Sequence, residues 1–222
     1  QKGSMSLSPT TKLEAVNTML TSIGEQPVQT PDFAGLSDAA IAAQILDNVS
    51  RAVQSRGWIF NTDLDDELVA DNSLGDKGVI NIPNNVLRVD VTSRVRDGAT
   101  DIVERGRQLY DRQTNNNLFN AGTKVKVNLV KHLVFEDLPE PARRYIAIRS
   151  ARIFHDRVVG SGELHRFYQE DEMQAWHTLL EYEGDVADYN IFDNYDVYRV
   201  VDRSVNSQFG MKRNLVDSVE TE

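Results

Sequence analysis

Gln54-Ser55-Arg56-Gly57-Trp58-Ile59-Phe60-Asn61 marks the place where one periodicity ends and another begins. Upstream, apolar residues recur at helical spacing. Ile41, Ile45, Val49, Ala52 and Val53 predict the buried face of a helix over about 38–56, with Ser37 and Asp38 as candidate caps. Gly57 stops that helix. Trp58, Ile59 and Phe60 then form a short β-prone run of large side chains. Trp58 and Phe60 are therefore expected to anchor the join between a helical part and whatever follows.

Downstream, from Trp58 to about Phe135, the pattern is that of short strands. Val79-Ile80-Asn81-Ile82, Val86 to Val91, Ile102-Val103 and Thr123 to Val130 read as β segments. Lys124-Val125-Lys126-Val127-Asn128-Leu129 alternates polar and apolar, as a strand with one wet face does. Pro83-Asn84-Asn85, Asp97-Gly98 and Ala121-Gly122 are turn signals between them. Gln113 to Asn120 is too polar for a core and is expected to be a long exposed loop.

Helical patterns flank this middle. On the amino-terminal side, Thr11 and Glu14 have the form of a capping box. Leu13, Val16, Leu20 and Ile23 give one apolar stripe over about 11–23, ended by Gly24 and Pro27. On the other side, Leu138-Pro139-Glu140-Pro141 opens a third helix running to about Val159. Its core side is predicted to use Ala142, Ile146, Ile153, Phe154 and Val158. Gly160-Ser161-Gly162 breaks it, and a fourth helix is predicted from Glu163 to about Asp185, antiparallel to the third.

The chain thus reads as α+β: a helical bundle with a β-rich insertion and an extended C-terminal tail. Residues 5–57 and 138–186 make the discontinuous bundle, two N-terminal helices plus a long antiparallel helix pair. Residues 58–137 make the β-rich module and 187–222 the tail. Residues 1–4, Gln-Lys-Gly-Ser, read as an expression scar before a natural start at Met5.

Composition narrows the function classes. The 222 residues are 40% hydrophobic and 26% charged, as in a soluble globular protein. No apolar run approaches the roughly 18–20 residues that a membrane span needs, and the segment after Met5 lacks the pattern of a secretory signal. Cysteine is absent, which excludes disulfides, thiolate nucleophiles and cysteine-bound metals. With 34 acidic against 24 basic residues, the net charge of −10 argues against tight binding to nucleic acid phosphates. It is compatible with a surface that DNA passes without sticking, or with solubility alone.

Catalytic constellations are missing from the sequence. His132, His155, His165 and His177 show no i, i+4 pairing, and His-Glu-x-x-His is absent. Gly-x-Ser-x-Gly, the dinucleotide glycine fingerprint and the phosphate-binding loop are absent too. Two acidic clusters, Asp63-Asp65-Asp66-Glu67 and Glu170-Asp171-Glu172, contain the carboxylates a glycoside hydrolase uses. A solvated charged face accounts for them better, since charged side chains are mostly exposed. No catalytic, metal or cofactor residue is assigned.

Charge is divided unequally across the predicted hairpin. Residues 140–157 carry five arginines, Arg143, Arg144, Arg149, Arg152 and Arg157, whereas 163–185 carry seven acids. Either the two helices complement each other, or the arginine face, with Arg143, Arg149 and Arg152, meets an acidic partner. Beyond Asp185 the periodicity fades, yet Tyr189, Phe192, Tyr195, Tyr198 and Phe209 are too aromatic for a flexible linker. Tyr195, Tyr198, Arg199 and Phe209 are expected in a partner interface.

Four ordered stretches carry a family resemblance. They are Ala15-Val16-Asn17 through Leu20, Ile23-Gly24-Glu25 and Pro27-Val28; the Gln54–Asn61 stretch; Pro141 to Gly160, with Arg144-Tyr145-Ile146, Ala151-Arg152, Phe154 and Arg157; and Glu181-Tyr182-Glu183 followed by Tyr189-Asn190 and Phe192-Asp193. Together they resemble the tail tubular protein A family of short-tailed phages in the Autographiviridae group, also called the gatekeeper or head-to-tail adaptor. The resemblance implies a structural virion protein without a cofactor. It implies a helical bundle with a β insertion, assembled as a dodecameric ring under the portal protein. The same ring would hold tail tubular protein B, the nozzle, with tail fibres around the junction. Genomic DNA would pass through its lumen without specific binding. It places the chain in the virion tail, after assembly in bacterial cytoplasm, and away from membranes. A second reading is a tail protein that also hydrolyses polysaccharide, and a third is a free cytoplasmic regulator.

Overall fold

The computed structural model describes residues 9–33, 35, 37–92, 101–160 and 162–191. Helix α1 spans Lys12–Ser22 and starts at the expected capping box, with the Thr11 side chain accepting from the Glu14 amide and Glu14 reaching back to the Thr11 amide. Its end is a Schellman turn. Gly24, at φ 84°, donates to Thr21 O and Glu25 donates to Leu20 O. The segment that follows is folded back onto the helix. Asn17 donates its side-chain amide to Val28 O at 3.0 Å and accepts from the Val28 amide at 2.8 Å.

Helix α2, Ser37–Gln54, buries Ala39, Ala42, Ala43, Ile45, Leu46, Val49 and Val53. The predicted face is therefore rotated. Ile41 is 43% exposed and Ala52 faces solvent, because Ala42 and Leu46 occupy the inward positions instead. The chain does not continue into a strand at Trp58. Ile59–Asn61 form a 3-10 turn, since the Asn61 side chain accepts from the Trp58 amide at 2.8 Å and the Trp58 indole donates to Val53 O at 2.8 Å. These two bonds curl the run back under α2.

The main sheet is antiparallel, with β1 (Thr62–Val69) and β3 (Val86–Val91) on either side of β7 (Lys124–Lys131). Thr62 pairs with Val130 in register, so the chain enters and leaves the sheet side by side. Strand β1 is interrupted by a bulge between Asp63 and Asp66, where Asp65 takes φ 54°. Strand β7 alternates over Lys124–Val127 as expected, but Asn128, Leu129 and Val130 are all buried because its second half is covered on both faces. Among the described residues the β part also has two small ribbons: β2 (Lys77–Gly78) with β6 (Phe119–Asn120), and β4 (Ile102–Arg105) with β5 (Gln108–Asp111). Val79 to Ile82 forms no strand: it makes a bridge from Asn81 to Gln108, Leu109 donates to Ile80 O and Ile82 donates to Arg107 O, and Ile80 and Ile82 are core residues. The expected polar loop is turn-rich over 112–118, with the Asp111 carboxylate accepting from Gln113 and Thr114 amides, and then pairs at Phe119.

Helix α3, Glu140–Val158, begins after the Pro139 cap and ends at Val159, with Gly160 at φ 68°. Ala142, Ile146 and Phe154 are buried as predicted; Val158 is 47% exposed, since it lies on the last turn beyond the packed part of the bundle. Helix α4, Gly162–Ile191, extends six residues past the Asp185 at which periodicity placed its end. The predicted tail beyond Ile191 falls outside the described residues.

Two apolar cores result. One joins Val16, Met19, Leu46, Trp58, Ile146, Phe154 and Leu179 from the four helices and the turn at Trp58. The other gathers Leu68, Ile80, Leu109, Val125, Val127 and Leu129 within the β segments. Truncating a fully buried member such as Leu46 to Ala is expected to cost about 2–5 kcal/mol. Residues 1–182 form one compact unit; of the second, 183–222, the structure describes the helical residues to Ile191. Among the described residues no helix is long and apolar enough to cross a membrane.

Candidate assembly surfaces

The chain crosses between its two cores twice, after Gln54 and before Leu133, and both crossings are tied to one buried polar cluster. Gln54, fully buried, donates to Leu133 O at 3.0 Å and Ser50 Oγ at 2.9 Å and accepts from the Leu133 amide at 2.7 Å. Asn61 donates to Gln54 O at 2.9 Å and to Lys131 O at 2.8 Å. From β3, Arg88 donates to Arg56 O at 3.1 Å and so satisfies a carbonyl just beyond α2. Gly57, at φ 79°, makes room for it: a Cβ there would stand 2.8 Å from Arg88 Nη2 and 3.0 Å from Val130 Cγ2. Trp58 is buried and stacks on Phe60 at 6.0 Å, while the Arg56 guanidinium lies 4.7 Å from the Trp176 ring centre. The helical body and the sheet are thus riveted together.

Of the arginines singled out on α3, three are engaged within the chain. Arg152 meets Glu172 of α4 at 2.5 Å and Asp156 at 3.3 Å; Arg149 meets the same Glu172 at 3.4 Å and donates to the Tyr145 hydroxyl at 2.7 Å. The Glu172 carboxylate raises the Arg152 pKa still further against the opposing effect of burial. Arg143 donates to Leu138 O at 2.6 Å, Thr10 O at 3.1 Å and Glu136 O, fastening the start of the described chain to the start of α3. Arg144 and Arg157 are exposed. Tyr195, Tyr198, Arg199 and Phe209 lie outside the described residues.

Neither acidic cluster frames a reactive pair. On β1, Asp63 pairs with Lys131 and Glu67 with Lys124 at 3.0 Å, both across the strand boundary to β7. The Asp63 carboxylate holds the Lys131 ammonium above its usual pKa. On α4, Glu172 is spent on the arginines while Glu170 and Asp171 are exposed. Among the described residues no group of three His, Asp or Glu side chains could hold a metal ion. His155 is buried with its ring 5.3 Å from Tyr168, and His177 is exposed on α4.

Two surface features carry no signal in the sequence pattern. Met173, 56% exposed, and Leu180, 41% exposed, flank His177 on the outer side of α4. Their spacing of seven residues is helical but off the buried stripe, which runs through Ala175 and Leu179. An open cleft of about 480 Å³ lies along the outer side of α2, between Ala40, Ala43, Gln44, Asn48 and Arg51, with Phe33 and Lys12 closing it.

The sequence profile of the tail tubular proteins matches residues 13–189, from α1 to the last turn of α4. The chain belongs to the tail tubular protein family. Tail tubular protein A of Klebsiella phage KP34 is 29% identical over 177 residues, covering 77% of this chain and 86% of the relative. Tail tubular proteins are structural components of the phage tail, and this tail tubular protein is accordingly a virion component. The stretches that carry the resemblance hold joints: Asn17 with Val28, and Gln54 and Asn61 with the chain leaving the sheet.

Proposed function

We propose that this chain is the head-to-tail connector of a short-tailed phage. Twelve copies form an adaptor ring between the portal and the nozzle, tail tubular protein B, with tail fibres seated around the junction. The observation that carries this reading is the match to Tail tubular protein A over most of both chains. A ring under mechanical stress also needs subunits whose parts do not shear, and the double crossing clamped at Gln54 and Asn61 supplies that rigidity. The net charge of −10 suits a lumen through which genomic DNA slides without being held. The role is structural, filled in the virion after assembly in host cytoplasm, and needs no cofactor.

Partner contacts are assigned to three places: the turns of the β segments, the arginines of α3, of which Arg144 and Arg157 are exposed while Arg143, Arg149 and Arg152 also bond within the chain, and residues 190–222 with Tyr195, Tyr198, Arg199 and Phe209. The test is co-assembly with the cognate portal, imaged by electron microscopy. A ring with the portal's symmetry is expected, and deletion of 190–222 should abolish docking. A protein that never joins the portal, or is missing from purified particles, would overturn the reading.

A further inference from the structure

Two outer patches of this chain complement each other, and the first is on α4. Its inward stripe, Ala175 and Leu179, is buried in the helical core, yet Met173 and Leu180 stand out on the opposite side with His177 between them. Two exposed apolar side chains seven residues apart lie about 10 Å apart along the helix axis. Glu170 and Glu181 border this seam at steps of three and one residue, both exposed and without an ion pair among the described residues.

The second patch is the cleft along α2. Ala40 and Ala43 give it a floor of small side chains, which allows a neighbouring helix to approach closely, and Phe33 gives it an apolar wall. Its length from Ala40 to Arg51 is eleven residues, about 16 Å, enough for two turns of a helix. At the rim, Lys12 is paired with Asp47 at 2.6 Å, whereas Arg51 has no carboxylate partner among the described residues. The seam thus offers two apolar knobs with unpaired acids beside them. The cleft offers a small-residue floor and, at one end, the Arg51 guanidinium, which bonds Asn48 at 3.5 Å and has no carboxylate partner among the described residues.

Among the described residues none of α3 or α4 lines the cleft, so the two patches are separate areas of one molecule. A surface that fits a different surface on an identical copy makes a head-to-tail contact, which closes into a ring when the rotation per step divides a full turn. We propose that the Met173–Leu180 seam of one copy seats in the α2 cleft of the next, with Glu170 or Glu181 facing Arg51. This rests on the ring reading above and specifies the surfaces through which that ring closes.

The absence of cysteine makes the test direct. Full-length chains carrying Ala40→Cys and full-length chains carrying Met173→Cys, distinguished by a mass tag, are mixed, assembled on cognate portal and oxidised. A disulfide joining the two tagged species is expected, and a ladder of linked oligomers from the chain carrying both substitutions. Arg51→Glu should lower self-association at least tenfold, and pairing it with Glu170→Lys and Glu181→Lys should recover most of that loss. Rings that assemble without the mixed disulfide would overturn the seam and cleft while leaving the ring intact. A cleft cysteine that links to portal, or to another cleft cysteine, would overturn them in the same way. A chain that never associates with itself, alone or on portal, would overturn the ring reading and this interface with it.

Discussion

The side chain of Gln54 pairs with the backbone of Leu133 as a strand neighbour would, donating to its carbonyl at 3.0 Å and accepting from its amide at 2.7 Å. A side chain on the last turn of α2 thereby completes the hydrogen bonding of the chain just after β7. Gln54 is fully buried and Leu133 part-buried, so losing the side chain leaves two backbone groups poorly supplied with water and carries a desolvation cost. Replacing Gln54 with Leu is expected to lower stability by about 2–4 kcal/mol, read from denaturant unfolding. Gln54→Glu should be worse near neutral pH and partly recover in acid, since only a protonated carboxyl can donate to Leu133 O.

Gly57 combines a left-handed backbone with crowding from Arg88 and Val130. Alanine there is expected to cost about 1–2 kcal/mol for the backbone and more for displaced side chains. Adding Arg88→Ala should return only part of the loss, because φ 79° remains unfavourable and Arg56 O loses its donor. Thermal unfolding of the two variants and their combination checks this; full recovery in the double variant would show that crowding alone matters.

Glu172 is shared by Arg149 and Arg152, and its side chain is 13% exposed. Removing it leaves two guanidinium groups side by side on α3. Glu172→Ala is expected to destabilise by about 2–4 kcal/mol, and little of the effect should vanish in 1 M salt. A double-mutant cycle with Arg152→Ala should give a coupling above about 1 kcal/mol on the usual scale for contacting charges. Additive effects would show that the pair is solvated.

Burial, followed by the nearby Arg51 guanidinium, holds His132 below its ordinary pKa of 6.5, with Asp47 opposing. A lowered folded pKa means that the unfolded chain takes up the proton first. The contribution is therefore complete above about pH 6.5 and is lost as the pH falls through that value towards the folded pKa. His132→Asn should flatten this part of the stability–pH curve, measured by unfolding between about pH 5 and 8.

Local signals in the sequence are sufficient where one element carries its own punctuation. Thr11, Glu14 and Gly24 define both ends of α1, and alternation from Lys124 to Val127 defines β7. Strand β1 is not legible, because Asp63, Asp65, Asp66 and Glu67 hide the alternation and the bulge shifts its phase. Their pairing with lysines on β7 is visible only once the strands lie together. The orientation of α2 departs from its apolar pattern because Ile41 outweighs Ala42 in hydrophobicity, whereas packing prefers the small residue where helices approach. Around Trp58, which is buried, large side chains mark a cluster in the sequence. Its contacts with Arg56 and Trp176 join residues 120 apart, a separation across which no local pattern extends.

The neighbouring positions of Thr62 and Val130 carry an evolutionary consequence. A stretch whose two ends are hydrogen-bonded neighbours behaves as a cassette. Its distant turns can lengthen, shorten or recombine with those of another phage while the helices keep the same two points of attachment. Adaptation to a changed neighbour in the tail can then proceed at the far end of the sheet without renegotiating how the bundle folds.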